Sequence, residues 1–330
     1  MNRLTPERLD TLLEAIRGVR VVVVGDLMLD VYLRGTASRI SPEAPVPVVR
    51  VAEEWVALGG AANVASNVVA LGAACDVVGC VGADRAGDRL REGLQRMGVR
   101  DAGVRCVEGR PTTVKTRVLA RHHQVARYDV EVEDDVDDEC AAGLAAAVER
   151  LLEGAHALVL EDYNKGVLVP RVIEAALDAA ARHGVPVVVD PKSRNFFAYR
   201  GATVFKPNLG ELGAALQERV EADDPAWMER ARRRLGCANL LVTLGEGGMA
   251  LLTEAGEYVR VPTAARSVYD VSGAGDTVTA VVAAALGAGA HVGEAAVLAN
   301  EAAGIEVGKA GVATVSPDEL RATILQHQNA

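Results

Sequence analysis

A three-layer α/β sandwich around a mostly parallel central sheet is the architecture this sequence predicts, and three observations carry that prediction. Short β-branched runs alternate with segments of helical period along most of the 330 residues. The runs are apolar on both faces, the mark of strands covered by helices on either side. Half of the residues are apolar and aromatics make up only 3%, so a large aliphatic core is available to one big domain. In chain order, strands are expected at 19–24, 75–81, 155–160, 185–189, 202–205 and 240–242, with helices over 61–71, 88–97 and 169–182. His183-Gly184 closes one of those helices, and Pro186 precedes the strand Val187-Val188-Val189-Asp190.

Two segments break the alternation: 31–51, which contains Pro42, Pro45 and Pro47, and 104–128, where extended residues run without a helix between them. Each reads as a strand pair standing off the main sheet. Together they form a small β lid or a dimer contact, or else irregular edge strands with no further role. No Ser-, Gly- or Pro-rich linker, internal repeat or low-complexity tract divides the chain, so residues 1–330 are read as a single domain with its lid.

The net charge of −10 argues against non-specific nucleic-acid binding and against attraction to anionic membranes. A phosphate site must therefore rest on locally gathered basic residues. Cys75, Cys80, Cys106, Cys140 and Cys237 show no metal-ligand spacing, and their odd number fits reduced thiols in a cytoplasmic protein. The charged N-terminus does not read as a signal peptide. Two uncharged stretches, 57–75 and 277–293, are rich in Gly and Ala and read as buried helices rather than membrane spans.

The most informative run is Asp270-Val271-Ser272-Gly273-Ala274-Gly275-Asp276-Thr277. A Gly-Ala-Gly turn entering a helix leaves backbone N–H groups unshielded, and with the helix dipole they can hold negative charge. Asp276 then stands at the helix mouth, where a carboxylate can take a proton from an alcohol attacking a phosphoryl group. The alternative is that Gly273 and Gly275 turn the chain and Asp276 caps a helix opening near Thr277. Asp26 and Asp30, in Gly25-Asp26-Leu27-Met28-Leu29-Asp30, follow the first strand at the edge where open α/β sheets bind ligands, and carboxylates there suit sugar hydroxyls. A satisfied turn would use Asp26 equally well. Gly59-Gly60-Ala61-Ala62-Asn63 lets backbone and an amide approach a polar ligand, or merely lets helices pack closely.

Asn208 and Glu211, in Lys206-Pro207-Asn208-Leu209-Gly210-Glu211, lie on one face of a first helical turn. Such a pair can cap the helix reciprocally, or organise water around a magnesium ion carried by nucleotide phosphates. Asp190-Pro191-Lys192 and Thr243-Leu244-Gly245 extend the same rim of strand ends. In the expected lid, Lys115, Arg117 and Arg121 alternate onto one strand face, which suits a phosphorylated substrate or a solvated edge strand. Neither a G-x-x-x-x-G-K-[ST] loop nor a G-x-G-x-x-G after the first strand is present, which disfavours Walker-type ATPases and dinucleotide dehydrogenases.

Taken in order and spacing, Gly59-Gly60-Ala61-Ala62-Asn63, Asn208-Leu209-Gly210-Glu211 and Gly273-Ala274-Gly275-Asp276-Thr277 resemble the ribokinase-like (PfkB) family of carbohydrate kinases over nearly the whole chain. The segments Gly25–Asp30, Glu161-Asp162-Tyr163-Asn164-Lys165-Gly166 and above all Ser38-Arg39-Ile40-Ser41-Pro42-Glu43-Ala44-Pro45-Val46-Pro47-Val48-Val49 look like its heptose 7-phosphate kinase branch. That resemblance implies a ribokinase-like fold and transfer of phosphate from ATP, with Mg2+, to the anomeric hydroxyl of D-glycero-D-manno-heptose 7-phosphate. The product would be the 1,7-bisphosphate of ADP-heptose synthesis, a lipopolysaccharide core precursor route. It implies Asp276 as catalytic base, Gly273, Ala274 and Gly275 as anion hole, and Asn208, Leu209, Gly210 and Glu211 as a nucleotide motif, with Glu211 meeting magnesium through water.

By the same resemblance Lys192, Thr243, Gly245, Asn300 and Gly304 line the nucleotide, and Asp26, Asp30, Gly59, Gly60 and Asn63 contact the sugar. Arg39 falls in the lid over the substrate, with Lys115 and Arg117 toward its phosphate, while Asp270 and Ser272 fall where some members bind a monovalent cation. A homodimer through the lid follows as a family expectation. Many relatives continue into a nucleotidyltransferase domain with an H-x-G-H motif, which none of the six histidines forms, so a kinase acting alone is expected. The rival readings are another sugar or sugar-phosphate kinase of the family, and a non-catalytic sugar-nucleotide sensor with the same fold.

Overall fold

The computed structural model describes residues 4–121, 123–265, 268–309 and 311–328. In chain order its strands are β1 (Arg20–Gly25), β2 (Leu27–Ile40), β3 (Pro47–Gly60), β4 (Ala74–Gly82), β5 (Arg100–Val107), β6 (Thr113–Ala120) and β7 (His123–Val130). They continue with β8 (Ala157–Glu161), β9 (Val187–Asp190), β10 (Val204–Phe205), β11 (Asn239–Thr243), β12 (Met249–Leu252) and β13 (Tyr258–Val261). The helices are α1 (Pro6–Ile16), α2 (Ala61–Ala70), α3 (Arg85–Arg96), α4 (Asp138–Leu152), α5 (Pro170–His183), α6 (Leu209–Leu216), α7 (Pro225–Leu235), α8 (Ala274–Gly287), α9 (Val292–Glu306) and α10 (Pro317–Gln328).

Strand β1 shows why the layers form. Val21 and Val23 point into one buried cluster with α1, α2, α3, α8, α9 and α10, while Val22 and Val24 point into the other with α4, α5, α6 and α7. Alternation of side chains along a strand apolar on both faces thus demands helices on both sides. The main sheet runs β13-β12-β11-β10-β9-β8-β1-β4-β5, parallel except where β12 pairs antiparallel with β11 and β13. Gly184, at φ 65°, ends α5 where His183-Gly184 was expected to. The uncharged stretches become α2 and α8, and among the described residues no helix is long and apolar enough to cross a membrane.

A second sheet, β3-β2-β6-β7, stands off the first. Its extent differs from the expected 31–51 and 104–128. Strands β2 and β3 reach back to Leu27 and forward to Gly60, so the proline cluster lies at the tip of a long hairpin rather than at its centre. Residues 104–107 belong to β5, which pairs parallel with β4 in the main sheet. Both strand types are extended and partly apolar there, so periodicity could not tell the sheets apart. Since β2 leaves β1 across the single residue Asp26 and β3 runs into α2 at Gly60, the second sheet is rooted at the C-terminal rim of the first.

Candidate active site

Because β1, β8, β9, β10 and β11 are parallel neighbours, their C-terminal ends meet at one edge. There Asp26 follows β1, Glu161 ends β8, Asp190 ends β9, Lys206 follows β10 and Thr243 ends β11. The N-terminus of α8 completes the edge. Gly273 is its N-cap at φ 96°, a conformation that disfavours any side chain. A Cβ there would also stand 3.0 Å from the Asn63 amide nitrogen.

One turn in, Asp276 is 4% exposed. Asn63 Nδ2 donates to its Oδ2 at 2.7 Å, and the Tyr163 hydroxyl donates to its Oδ1 at 2.7 Å. Burial pushes its carboxyl up to about 6, against the opposing pull of those two donors. A buried carboxylate with a pKa near neutrality at a helix mouth is equipped to accept a proton at physiological pH.

Around it Glu161, Asp190 and Asp276 bring carboxylate oxygens within 4.8 Å of one another. The Lys206 ammonium lies 2.7 Å from Asp190 Oδ2 and is itself 3% exposed on its side chain. Glu161 is fully buried with no donor to either oxygen, and burial first, then the charges of Asp190 and Asp276, hold its carboxyl well above the usual range. Within the trio the Lys206 ammonium meets the charge of Asp190, and burial favours the neutral form of Glu161.

A cavity of about 510 Å³ opens beside Ala274 and Gly275. Asn208, Thr243, Gly245, Asn300 and Gly304 line it together with apolar Met249, Val268, Val271 and Val307. An apolar slot ending at unshielded helix-terminal amides is suited to a planar base at one end and phosphates at the other. Asn208 and Glu211 form a reciprocal capping box at 2.8 and 2.9 Å, so the capping alternative is realised. The second Glu211 oxygen pairs with Lys192, whose ammonium sits 5.4 Å from the Tyr163 ring centre. Leu209 and Gly210 make the exposed first turn of α6. For a magnesium ion Glu211 offers a hard carboxylate oxygen of the kind the ion takes, paired here with Lys192. Asp270 accepts from the Ser272 N–H at 2.9 Å, and its charge is felt at the buried Glu306 carboxyl, which burial pushes up to about 8.

On the sugar side several expectations need correction. Asp26 is 1% exposed, and its carboxylate accepts the backbone N–H groups of Tyr163, Lys165 and Val167 at 2.8, 3.0 and 3.1 Å. It organises a loop and is not free for a hydroxyl. Asp26→Ala should cost about 2–3 kcal/mol of stability by orphaning these donors, measurable by urea unfolding. Asn63, 2% exposed, donates to Asp276 and accepts from Asn67, so its side chain is engaged with the carboxylate. At Gly59 and Gly60 a Cβ would meet the Asp30 carboxylate and the Asp26 carbonyl, which is enough to require glycine there.

Asp30 pairs with Arg117, and Lys115 with Glu131 at 2.9 Å and Asp129 at 3.6 Å, so the cationic stripe is already matched by carboxylates. It also ends early: β6 stops at Ala120 and Arg121 turns through φ 58°. Arg39 is exposed nine residues beyond Asp30 on β2, roughly 30 Å along the strand, and is not brought to Asp276.

Motif reasoning about the strand ends did not single out Tyr163, Glu161 or Lys206. Lys206 and Asp190 were visible at strand ends, but their pairing depends on β9 and β10 being neighbours. Tyr163 stood only as part of a quoted segment, because an aromatic in a loop carries no periodic signal.

A doubly covered α/β sheet with a buried carboxylate at a helix mouth and a cavity beside it is an arrangement suited to a phosphotransferase. Residues 19–319 match the pfkB family carbohydrate kinase model, and the chain belongs to that family: it is a carbohydrate kinase, and the family implies ATP as its phosphate donor. The "Bifunctional protein HldE" of Stutzerimonas stutzeri (strain A1501) is 48% identical over 311 residues, covering 94% of this chain and 64% of the relative. The protein of the same name from Halorhodospira halophila (strain DSM 244 / SL1) is 49% identical over 315 residues, covering 94% and 65%. The chain thus spans just under two thirds of these relatives' length. Arabidopsis thaliana ribokinase complexed with ribose and ATP superposes with a TM-score of 0.73 at 22% identity, covering 93% of this chain and 98% of that one. Phosphofructokinase-2 from Escherichia coli in complex with potassium gives 0.77 at 20% identity, covering 94% and 99%. Both share the ribokinase-like fold.

Proposed function

We propose that this kinase transfers the terminal phosphoryl group of ATP to the anomeric hydroxyl of D-glycero-D-manno-heptose 7-phosphate, giving the 1,7-bisphosphate. The observation that carries the reaction is Asp276, buried and held by two donors at the mouth of α8, with Ala274 and Gly275 on the wall of the adjoining cavity. In this reading Asp276 takes the hydroxyl proton while the Gly273–Gly275 amides receive the negative charge of the migrating group. Magnesium, when bound with the nucleotide, would spread phosphate charge, and Glu211 is the residue that would hold it through water. The heptose assignment is supported by the Ser38–Val49 segment and by relatives that carry the HldE name.

The second sheet serves as a lid in this reading, and its uncovered face supports a dimer contact there. Val51, Tyr128 and Val130 are exposed on the face turned away from Asp30 and Arg117. A different phosphorylated or plain sugar is the second reading, favoured by the prior pairing of Lys115 and Arg117 with carboxylates. Incubation with ATP, magnesium and heptose 7-phosphate, followed by phosphorus NMR, tests the proposal. A new anomeric phosphate is expected; phosphate at another carbon, or acceptance only of other sugars in a panel, overturns it.

The acid limb of kcat/KM should have its midpoint near pH 6, because activity needs Asp276 unprotonated and its carboxyl stands at about 6. With Glu161 and Asp190 alongside, that midpoint belongs to the cluster as a whole. A limb centred near pH 4 would contradict it.

A further inference from the structure

We infer that Tyr163 is a positioning residue for the phosphoryl-transfer base, with Asp26 as the buried clamp that fixes the loop presenting it. This rests on the reading of Asp276 as that base. The two Asp276 oxygens each take one donor, Tyr163 Oη on Oδ1 and Asn63 Nδ2 on Oδ2, both at 2.7 Å. Two donors from different elements fix the carboxyl's rotation, where one would leave it free to turn.

The tyrosine is held in turn. Its backbone N–H is the first of three consecutive odd-numbered amides, those of Tyr163, Lys165 and Val167, that point to the Asp26 carboxylate. Asn164 between them adopts φ 56°, left-handed for a non-glycine residue, and its N–H donates to Asp162 Oδ1 at 2.8 Å. The loop therefore has no ladder to satisfy its amides, and the buried carboxylate does that instead. The Tyr163 ring lies under the Lys192 ammonium at 5.4 Å, which fixes its other face.

Chemically, the phenol can only donate. Burial, and then the charges of Asp276, Glu161 and Asp190, keep its proton on far above the usual tyrosine range. The groups that face Asp276 are Asn63 from α2, Glu161 from β8, Asp190 from β9, Lys206 after β10 and Tyr163, with the Glu306 carboxyl of α9 sensing its charge. Of these, burial and Asp190 push its carboxyl up, while Asn63, Tyr163 and Lys206 oppose them. A donor to the carboxylate stabilises the charged form, so Tyr163 both aims the base and keeps an unprotonated fraction available near neutrality.

The test uses the full chain. Carbon-13 NMR of the Asp276 carboxyl, assigned by its disappearance in Asp276→Asn, is followed across pH in wild type and in Tyr163→Phe, which removes one oxygen and nothing else. The Tyr163→Phe midpoint is expected to rise by about one pH unit, and the acid limb of kcat/KM with ATP and heptose 7-phosphate to move with it. At pH 7 kcat should fall about tenfold with KM for ATP unchanged, and adding Tyr163→Phe to Asp276→Asn should cost nothing more. An unmoved carboxyl titration overturns the inference whatever the acceptor. Near-wild-type turnover of Asp276→Asn instead overturns the proposed base, a separate readout.

Discussion

Asp276→Asn is expected to lower turnover by about 10²–10⁴-fold while ATP binding persists, as judged by single-turnover kinetics and nucleotide titration. The substitution keeps the shape of the side chain and the cavity wall, because Asp276 does not line the nucleotide slot; Ala274 and Gly275 do. What it removes is a lone-pair acceptor for the hydroxyl proton. The same change should not destabilise the fold at neutral pH through electrostatics. A carboxyl at about 6 in the folded chain, against an ordinary 3.8, has its pKa raised by folding. Such a group favours folding in its protonated form, so its ionisation costs stability progressively as pH climbs from about 4 to 6 and fully above that. A neutral amide avoids this cost, so the stability of Asp276→Asn relative to wild type should improve from pH 4 to pH 7.5, offset by whatever the facing Asn63 amide loses. The enzyme would thus carry a stability penalty at its base for the sake of proton transfer. An Asn variant with near-normal turnover, or one whose relative stability worsens with rising pH, would contradict this account.

Much of that site could be read in advance because its parts are local. Gly273-Ala274-Gly275 at a helix start, Asn208 and Glu211 on one turn, and Thr243 and Gly245 at a strand end are all set by a few neighbouring residues. The alternation in β1 likewise requires helices on both faces. What could not be read was who pairs with whom. A carboxylate after a strand looks the same whether it awaits a sugar or, like Asp26, accepts three amides from a loop more than a hundred residues later. Lys115 and Arg117 read as a cationic stripe until β2 and β7 bring Asp30 and Asp129 across from them. Asn63 likewise carries an amide suited to a ligand, and only the packing of α2 against α8 shows that its partner is Asp276.

Lys206→Met should be the most destabilising of the site substitutions, by about 3–5 kcal/mol in urea unfolding, the range for breaking a buried pair by removing one member. Lys206 is 3% exposed, and its ammonium stands 2.7 Å from Asp190 Oδ2. The surrounding acids, Asp190 above all, hold its proton on against the effect of burial. Methionine fills nearly the same volume, so the loss would be electrostatic rather than a cavity. Removal leaves the half-buried Asp190 carboxylate beside Glu161 and Asp276 without its ammonium, and the neutral Glu161 cannot compensate a charge. Gly275 lies beside the lysine, a Cβ there standing 3.7 Å from its Nζ, which places the ammonium next to the helix-terminal amides. The pair thus supports the fold and adds positive charge where phosphate charge would gather. In the variant Asp276 should also become harder to ionise, since Lys206 is among the groups that hold its pKa down, and the acid limb should move upward. A Lys206→Met protein as stable as wild type, with its acid limb unmoved, would mean that the three carboxyls share their protons without help from this ammonium.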